Sequence, residues 1–364
     1  MGDNMSCVLL RLESLLRGCL RLRVLSFGLA LPLGLCLLLA FLHGCKSKPA
    51  AREVVLYCSA DQDVAEPIVA AFERQTGIHV LARYDTEAGK TVGLIQKLRA
   101  EAAAPVADVF WSNDTFHTIR LAREGALVDW KPTDSALAAW PRNYRDANGR
   151  WWGFALRVRV IGYNTNRVTE DQAPRRLEDL LDPKWKDRIV LADPQFGTTG
   201  GDIASWFAHY GPGKAREILE GLKANSARLV DGNSTALRLV ANGQADVCFT
   251  DSDDVYAGQR NGWPVAMHYL DQNGEGALAI PNTVGIVRGG PHPEAARSLA
   301  DFLLSPQVEE MLANSDAHNT PVHPALAERF AKYAIPKPLN IDYEKIADQL
   351  PTAISTAEEV FHGH

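Results

Sequence analysis

From Glu53 onward the sequence alternates short apolar runs with single amphipathic stretches, and this alternation restricts the fold more than any other feature. The run Val54-Val55-Leu56-Tyr57 is followed by Val64, Ala65, Ile68, Val69 and Phe72 at helical spacing, closed by Gly77. Residues 78–84 read as a second strand, Leu94, Ile95 and Leu98 mark a second helix, and residues 106–111 form a third strand. Strands joined by single helices imply right-handed crossovers and a parallel-rich sheet with flanking helices. A second α/β block starts near residue 160. It holds strands at 188–192, 228–230 and 245–250, and helices at 200–210, 214–224 and 234–242. Two long extended segments, 154–163 and 277–287, flank this block, and the second returns to helical sequence. Two α/β lobes joined by two extended crossovers make a hinged clamshell whose first lobe is discontinuous. The expected boundaries are 53–155 with 276–325 for the first lobe, 156–275 for the second, and 326–364 for a C-terminal helical segment.

The first 45 residues have a different character. Arg11, Arg17, Arg21 and Arg23 lead into an uncharged apolar run at 24–42, which ends in Leu42-His43-Gly44-Cys45 before the polar Lys46-Ser47-Lys48. A basic start, an apolar middle and small residues before a cut describe an export signal. A Cys just after the cut resembles a bacterial lipoprotein signal, which implies lipid on Cys45 and a short linker at 46–52. The alternative is a retained anchor, since such a run nearly spans a bilayer. Either arrangement holds the globular part on the periplasmic or extracellular face, tethered to a membrane.

Charge and cysteine usage then exclude several classes. The chain carries 38 Lys and Arg against 44 Asp and Glu, a net charge of −6, and no basic block stands out. A nucleic-acid backbone reader is therefore not expected. From Cys45 onward only Cys45, Cys58 and Cys248 remain, with no CxxC, which is no framework for disulfides, zinc or thiol redox. There is no GxSxG and no HExxH. Ala88-Gly89-Lys90-Thr91 resembles the end of a phosphate loop, but Tyr84 stands where the first glycine is required. Asp251-x-Asp253 suggests a calcium loop, but Tyr256 occupies the glycine position. His318, His323, His362 and His364 lack metal spacing and are expected as solvated surface or tail residues. With no nucleophile–base pair, an exported enzyme finds no support and no catalytic residue is assigned.

In open parallel sheets ligands bind beyond the carboxyl ends of the strands. Asp61 follows the first strand and Asn113 the third. In the second block come Thr198, Thr199 and Gly200, then Asn233 and Ser234, then Thr250, Asp251, Asp253 and Asp254. One such residue alone reads as a helix cap. The set reads further, because two hydroxyls and glycine backbone at a helix start form an anion cradle. Capping uses one of three clustered carboxylates, and the rest repel unless a cation or solvent offsets them. Arg157 and Arg159 fall on one face of an extended strand, with solvent exposure or pairing to surface acid as their alternative role.

With these residues in view, the chain resembles the periplasmic ferric-ion-binding proteins, which are solute-binding components of ABC importers. The resemblance is carried by Val55-Leu56-Tyr57, by 71–78 (AFERQTGI), by Ala107-Asp108-Val109-Phe110-Trp111, and by Asn233-Ser234-Thr235-Ala236-Leu237. Asn242-Gly243-Gln244-Ala245-Asp246, His292-Pro293-Glu294-Ala295-Ala296 and 301–306 (DFLLSP) extend it. It implies the type II periplasmic-binding-protein fold and a monomer without cofactor, partnered by a permease and its ATPase subunit. It further implies ferric iron with an accompanying anion in the inter-lobe cleft. Metal ligands would be Asp61, Asp251 and Asp253. Arg157, Thr198, Thr199, Gly200, Asn233 and Ser234 would serve the anion, with Asn113 and Thr250 nearby. The chain departs from the family where an adjacent Tyr pair supplies phenolates, having Ser252-Asp253 there. Asp61 replaces a His, and Asn113 an acidic ligand. An alternative keeps the fold and changes the solute to a small organic molecule, phosphorylated or cationic.

Overall fold

The structure, a computed structural model, describes residues 52–85 and 92–363. The export signal, Cys45, nearly all of the linker and the 88–91 motif lie outside the described residues. Among the described residues no helix is long and apolar enough to cross a membrane.

Strand β1 (Glu53–Cys58) is buried along almost its whole length, and helix α1 (Gln62–Thr76) packs Ala65, Ile68, Ala71 and Phe72 inward at i, i+3 and i+4. The helix stops at Gly77, whose φ of 66° suits glycine and whose N–H caps the Glu73 carbonyl. Strand β2 (His79–Tyr84), α2 (Val92–Ala100), β3 (Val109–Ser112) and α3 (Thr115–Arg123) complete the first block. β1 lies parallel to both β2 and β3, as helix-linked strands should.

After β4 (Leu127–Val128) comes β5 (Trp152–Asn164), buried at every residue. The second block then runs β6 (Ile189–Ala192), α4 (Thr198–Tyr210), α5 (Pro212–Ala224), β7 (Arg228–Val230), α6 (Asn233–Ala241), β8 (Val247–Asp251), α7 (Ser252–Arg260) and β9 (Val265–Tyr269). β6 pairs in parallel with β7 and β8. The chain returns through β10 (Ala279–Val287) to α8 (Pro293–Leu303), α9 (Pro306–Asn314) and the terminal α10 (Tyr343–His362). The strand order is β2-β1-β3-β10-β5-β8-β6-β7, with β4 beside β10 and β9 beside β5.

The two long crossovers pair antiparallel with each other, and β5 then continues between β8 and β9. One strand thus serves both blocks, which explains its unbroken burial. Arg157 and Arg159 lie inside it at 7% and 0% exposure, which excludes the alternative of solvent exposure or surface pairing for them. The C-terminal segment is equally integral. Ile346, Ala347, Leu350, Ala353, Ala357 and Val360 of α10 form a buried stripe against α3, α4 and α5.

His323 corrects another expectation. It is buried, its Nε2 donates to Asp134 at 3.1 Å, and its Nδ1 accepts from the Ala325 N–H. The partner lies 189 residues away in sequence, so local reading could not supply it.

Candidate functional site

The strand ends bring one small cavity, about 30 Å³, to the middle of the sheet. Asp61 after β1, Asn113 after β3 and Arg157 within β5 meet Thr198, Asn233, Asp251 and Asp253 around it. Thr199, Gly200, Ser234 and Thr250 do not line it. Phe196, Asp231 and Asp254 do, and the first two belong to the polar loops that follow β6 and β7.

Local capping explains which side chains are left to face the cavity. Asp114, not Asn113, caps α3, accepting from the N–H groups of Phe116 and His117 at 2.8 and 3.0 Å. Asn113 is held from the side by Ser59, whose hydroxyl donates to its Oδ1 at 3.1 Å. Asp61 stands at the N-cap of α1, yet its carboxylate makes no capping bond among the described residues. Asp254 takes the corresponding work at α7, accepting from the Thr250 hydroxyl at 2.7 Å and the Asp251 N–H at 3.4 Å.

Asp251 is the most constrained acid. Arg159 Nη1 donates to its Oδ1 at 2.9 Å, while Thr198 Oγ1 and Asn233 Nδ2 donate to its Oδ2 at 2.6 and 3.0 Å. Arg159 also reaches Asp202 at 3.2 Å. Burial opposes the Arg159 charge, but the two carboxylates outweigh it and raise its pKa. Burial raises the Asp202 pKa, and Arg159 tempers the rise. Asp202 is absent from the expected set; its signal is a lone acid on the buried face of α4. Thr199 closes the net by donating to Asn233 at 3.2 Å.

Gly200 and Gly201 make room for close neighbours. A Cβ on Gly200 would fall 2.4 Å from the Pro194 carbonyl, and one on Gly201 would fall 2.3 Å from the Phe116 ring. The glycine pair lets α4 approach its neighbours closely.

Among the described residues, five carboxylates line the cavity (Asp61, Asp231, Asp251, Asp253 and Asp254) against one guanidinium, Arg157. Oxygens from Asp251, Asp253 and Asp254 come within 4.8 Å of one another. Arg157 Nε lies 3.5 Å from Asp253 and finds no hydrogen-bond partner among the described residues. Burial works against the Arg157 charge, but Asp253, Asp251, Asp61 and Asp254 together raise its pKa. Tyr256, one turn into α7, points elsewhere: its hydroxyl is 3.4 Å from that of Tyr269 and its ring packs on His318 and Tyr333. No tyrosine lines the cavity among the described residues.

Comparison with known proteins follows the same lines. Iron uptake protein A1 of Synechocystis sp. is 28% identical over 277 residues, covering 73% of this chain and 74% of the relative. The Fe(3+)-binding periplasmic protein of Serratia marcescens is 27% identical over 312 residues, covering 82% and 86%. The structure of iron-bound HitA from Pseudomonas aeruginosa superposes with a TM-score of 0.75 at 26% identity, covering 85% of this chain and 99% of that one. The two-lobed α/β reading agrees with that likeness, and the family model for bacterial extracellular solute-binding proteins matches residues 54–315. With its strand-end cavity and this match over most of its length, the chain belongs to the bacterial extracellular solute-binding proteins.

Proposed function

We propose that the protein captures ferric iron in this cavity, with an accompanying anion, and hands it to the permease and ATPase of an ABC importer. The observation that carries the reading is the excess of carboxylates, among the described residues, around a space of about 30 Å³. Clustered carboxylates call for positive charge, and hard ferric iron prefers oxygen donors, so aspartates can stand where phenolates serve elsewhere. A space this small takes an ion with few companions, whereas sites for organic ligands usually run to several hundred Å³. The names of the relatives, iron uptake protein and Fe(3+)-binding periplasmic protein, support the same cargo. Asp61, Asp251 and Asp253 are the proposed ligands, with Arg157 and the start of α4 facing the anion.

Arg157 inside the cavity, with Ser252-Asp253 in place of a Tyr pair, favours a second reading. There the solute is a small phosphorylated or cationic organic molecule. Native mass spectrometry with elemental analysis, on protein purified from its own host, separates the two. One iron per chain is expected, and small-angle scattering should show compaction on adding ferric citrate, as hinge closure requires. An organic mass without metal would overturn the iron reading, and identical scattering curves at saturation would count against closure.

The anchor is a separate proposal, that Cys45 becomes the lipid-bearing N-terminus of the exported protein. Cys45→Ala should leave the protein uncleaved or release it from membranes. Unchanged processing and fractionation in that variant would rule out lipidation at this residue.

A further inference from the structure

The pairing of β5 with β10 contains one irregularity. Phe154 faces Asn282 and Leu156 faces Pro281, so Ala155 is an extra residue without a partner, a β-bulge. Its φ is 46°, the left-handed region that side chains other than glycine seldom adopt. Such a conformation persists only where its surroundings enforce it. Here the enforcing group is Glu309 of α9, which is fully buried and accepts the Ala155 N–H at 2.7 Å. The same carboxylate accepts from Val322 at 2.9 Å and from His323 at 2.6 Å. Beyond the bulge the Leu156 backbone turns to pair with Thr320.

The consequence lies two residues further on. Side chains alternate along a strand, so one inserted residue transfers everything after it to the opposite face. Before the bulge Phe154 shares a face with Asn282 and packs on Trp111 at 5.8 Å. After it Arg157 lies on that same face, its Nη2 3.4 Å from Asn282, and it lines the cavity. Without the bulge an odd-numbered residue would turn away.

We propose that Glu309 is a positioning residue for the solute site: by holding the bulge at Ala155 it decides that Arg157 faces the cavity. Glu309 itself does not line the cavity.

The test has an arm that needs no solute. In ¹⁵N spectra of the ligand-free protein, the buried Arg157 Nε–H should exchange slowly. Glu309→Gln should speed that exchange at least tenfold, and adding Ala155→Gly, which adopts positive φ unaided, should restore at least half of the protection. The second arm rests on the ferric reading and uses ferric citrate as probe. Glu309→Gln should weaken binding at least fivefold in the wild-type background and leave it unchanged in Arg157→Ala. Absence of ferric binding in the wild type removes the iron reading but leaves the exchange arm intact. Unchanged Arg157 exchange in a folded Glu309→Gln protein, or equal affinity losses in both backgrounds, overturns the proposal. If Glu309→Gln does not fold alone, the pair with Ala155→Gly carries the measurement. Failure of both to fold assigns Glu309 to general stability and overturns the proposal too.

Discussion

Arg159→Met should destabilise the protein by about 3–5 kcal/mol, the usual loss when one partner of a buried ion pair is removed. For a chain of this size that corresponds to a fall in Tm on the order of 10 °C. Arg159 is fully buried, and Asp202 and Asp251 are nearly so, at 2% and 3% exposure. Removing the guanidinium leaves both carboxylates without their cation, though Asp251 retains Thr198 and Asn233. The pH dependence has a definite sign. The Asp202 pKa is already above its ordinary 3.8 because of burial, and loss of Arg159 raises it further. A carboxyl whose folded-state pKa exceeds its unfolded value favours the folded state when protonated, and that contribution disappears as pH rises through the folded pKa. The deficit should therefore be larger at pH 8 than at pH 5. Urea unfolding midpoints of wild type and variant at both pH values measure this. Equal deficits at the two pH values would show that Asp202 does not depend on Arg159 for its charge.

That network also shows where the sequence stops being legible. The alternation of β1, α1, β2, α2 and β3 could be read directly, because each element carries its own period and Gly77 punctuates one end. β5 and β10 could be read as extended, and the residues after each strand could be collected by the rule that ligands bind at carboxyl strand ends. What could not be read is any property decided by a distant partner. Arg159 looks like a solvated charge until Asp202 and Asp251, 43 and 92 residues away, surround it. Gly200 reads as a flexible turn, and its close approach to the Pro194 carbonyl shows only in the fold. The bulge at Ala155 is silent because alanine carries no sign of positive φ; the sign lies in Glu309, 154 residues further on. Asn113 and Asp114 illustrate a milder case. Both are plausible caps, and only the hydrogen bonds show that Asp114 takes the helix and leaves Asn113 to the cavity.

At the cavity itself, Asp253→Asn should weaken ferric citrate binding at least tenfold, equivalent to about 1.4 kcal/mol. What holds each acid decides how affinity and stability move together. Asp251 is fixed on both oxygens by Arg159, Thr198 and Asn233, so Asp251→Asn should lower affinity and stability together. Asp253 instead lies 3.5 Å from Arg157, and its side chain is 16% exposed. It also accepts the Asp254 N–H at 3.2 Å, and in the ferric reading it serves the cation while Arg157 faces the accompanying anion. Isothermal titration of wild type, Asp253→Asn and Arg157→Ala with ferric citrate ranks these roles. If iron is the cargo, Asp253→Asn should lose more affinity than Arg157→Ala, since it removes a ligand rather than an anion contact. If a phosphorylated organic molecule is the cargo, titration with that molecule should reverse the order, because the guanidinium then holds its main charge. Unchanged affinity for the established solute in both Asp251→Asn and Asp253→Asn would reduce the acidic loop to a capped helix start.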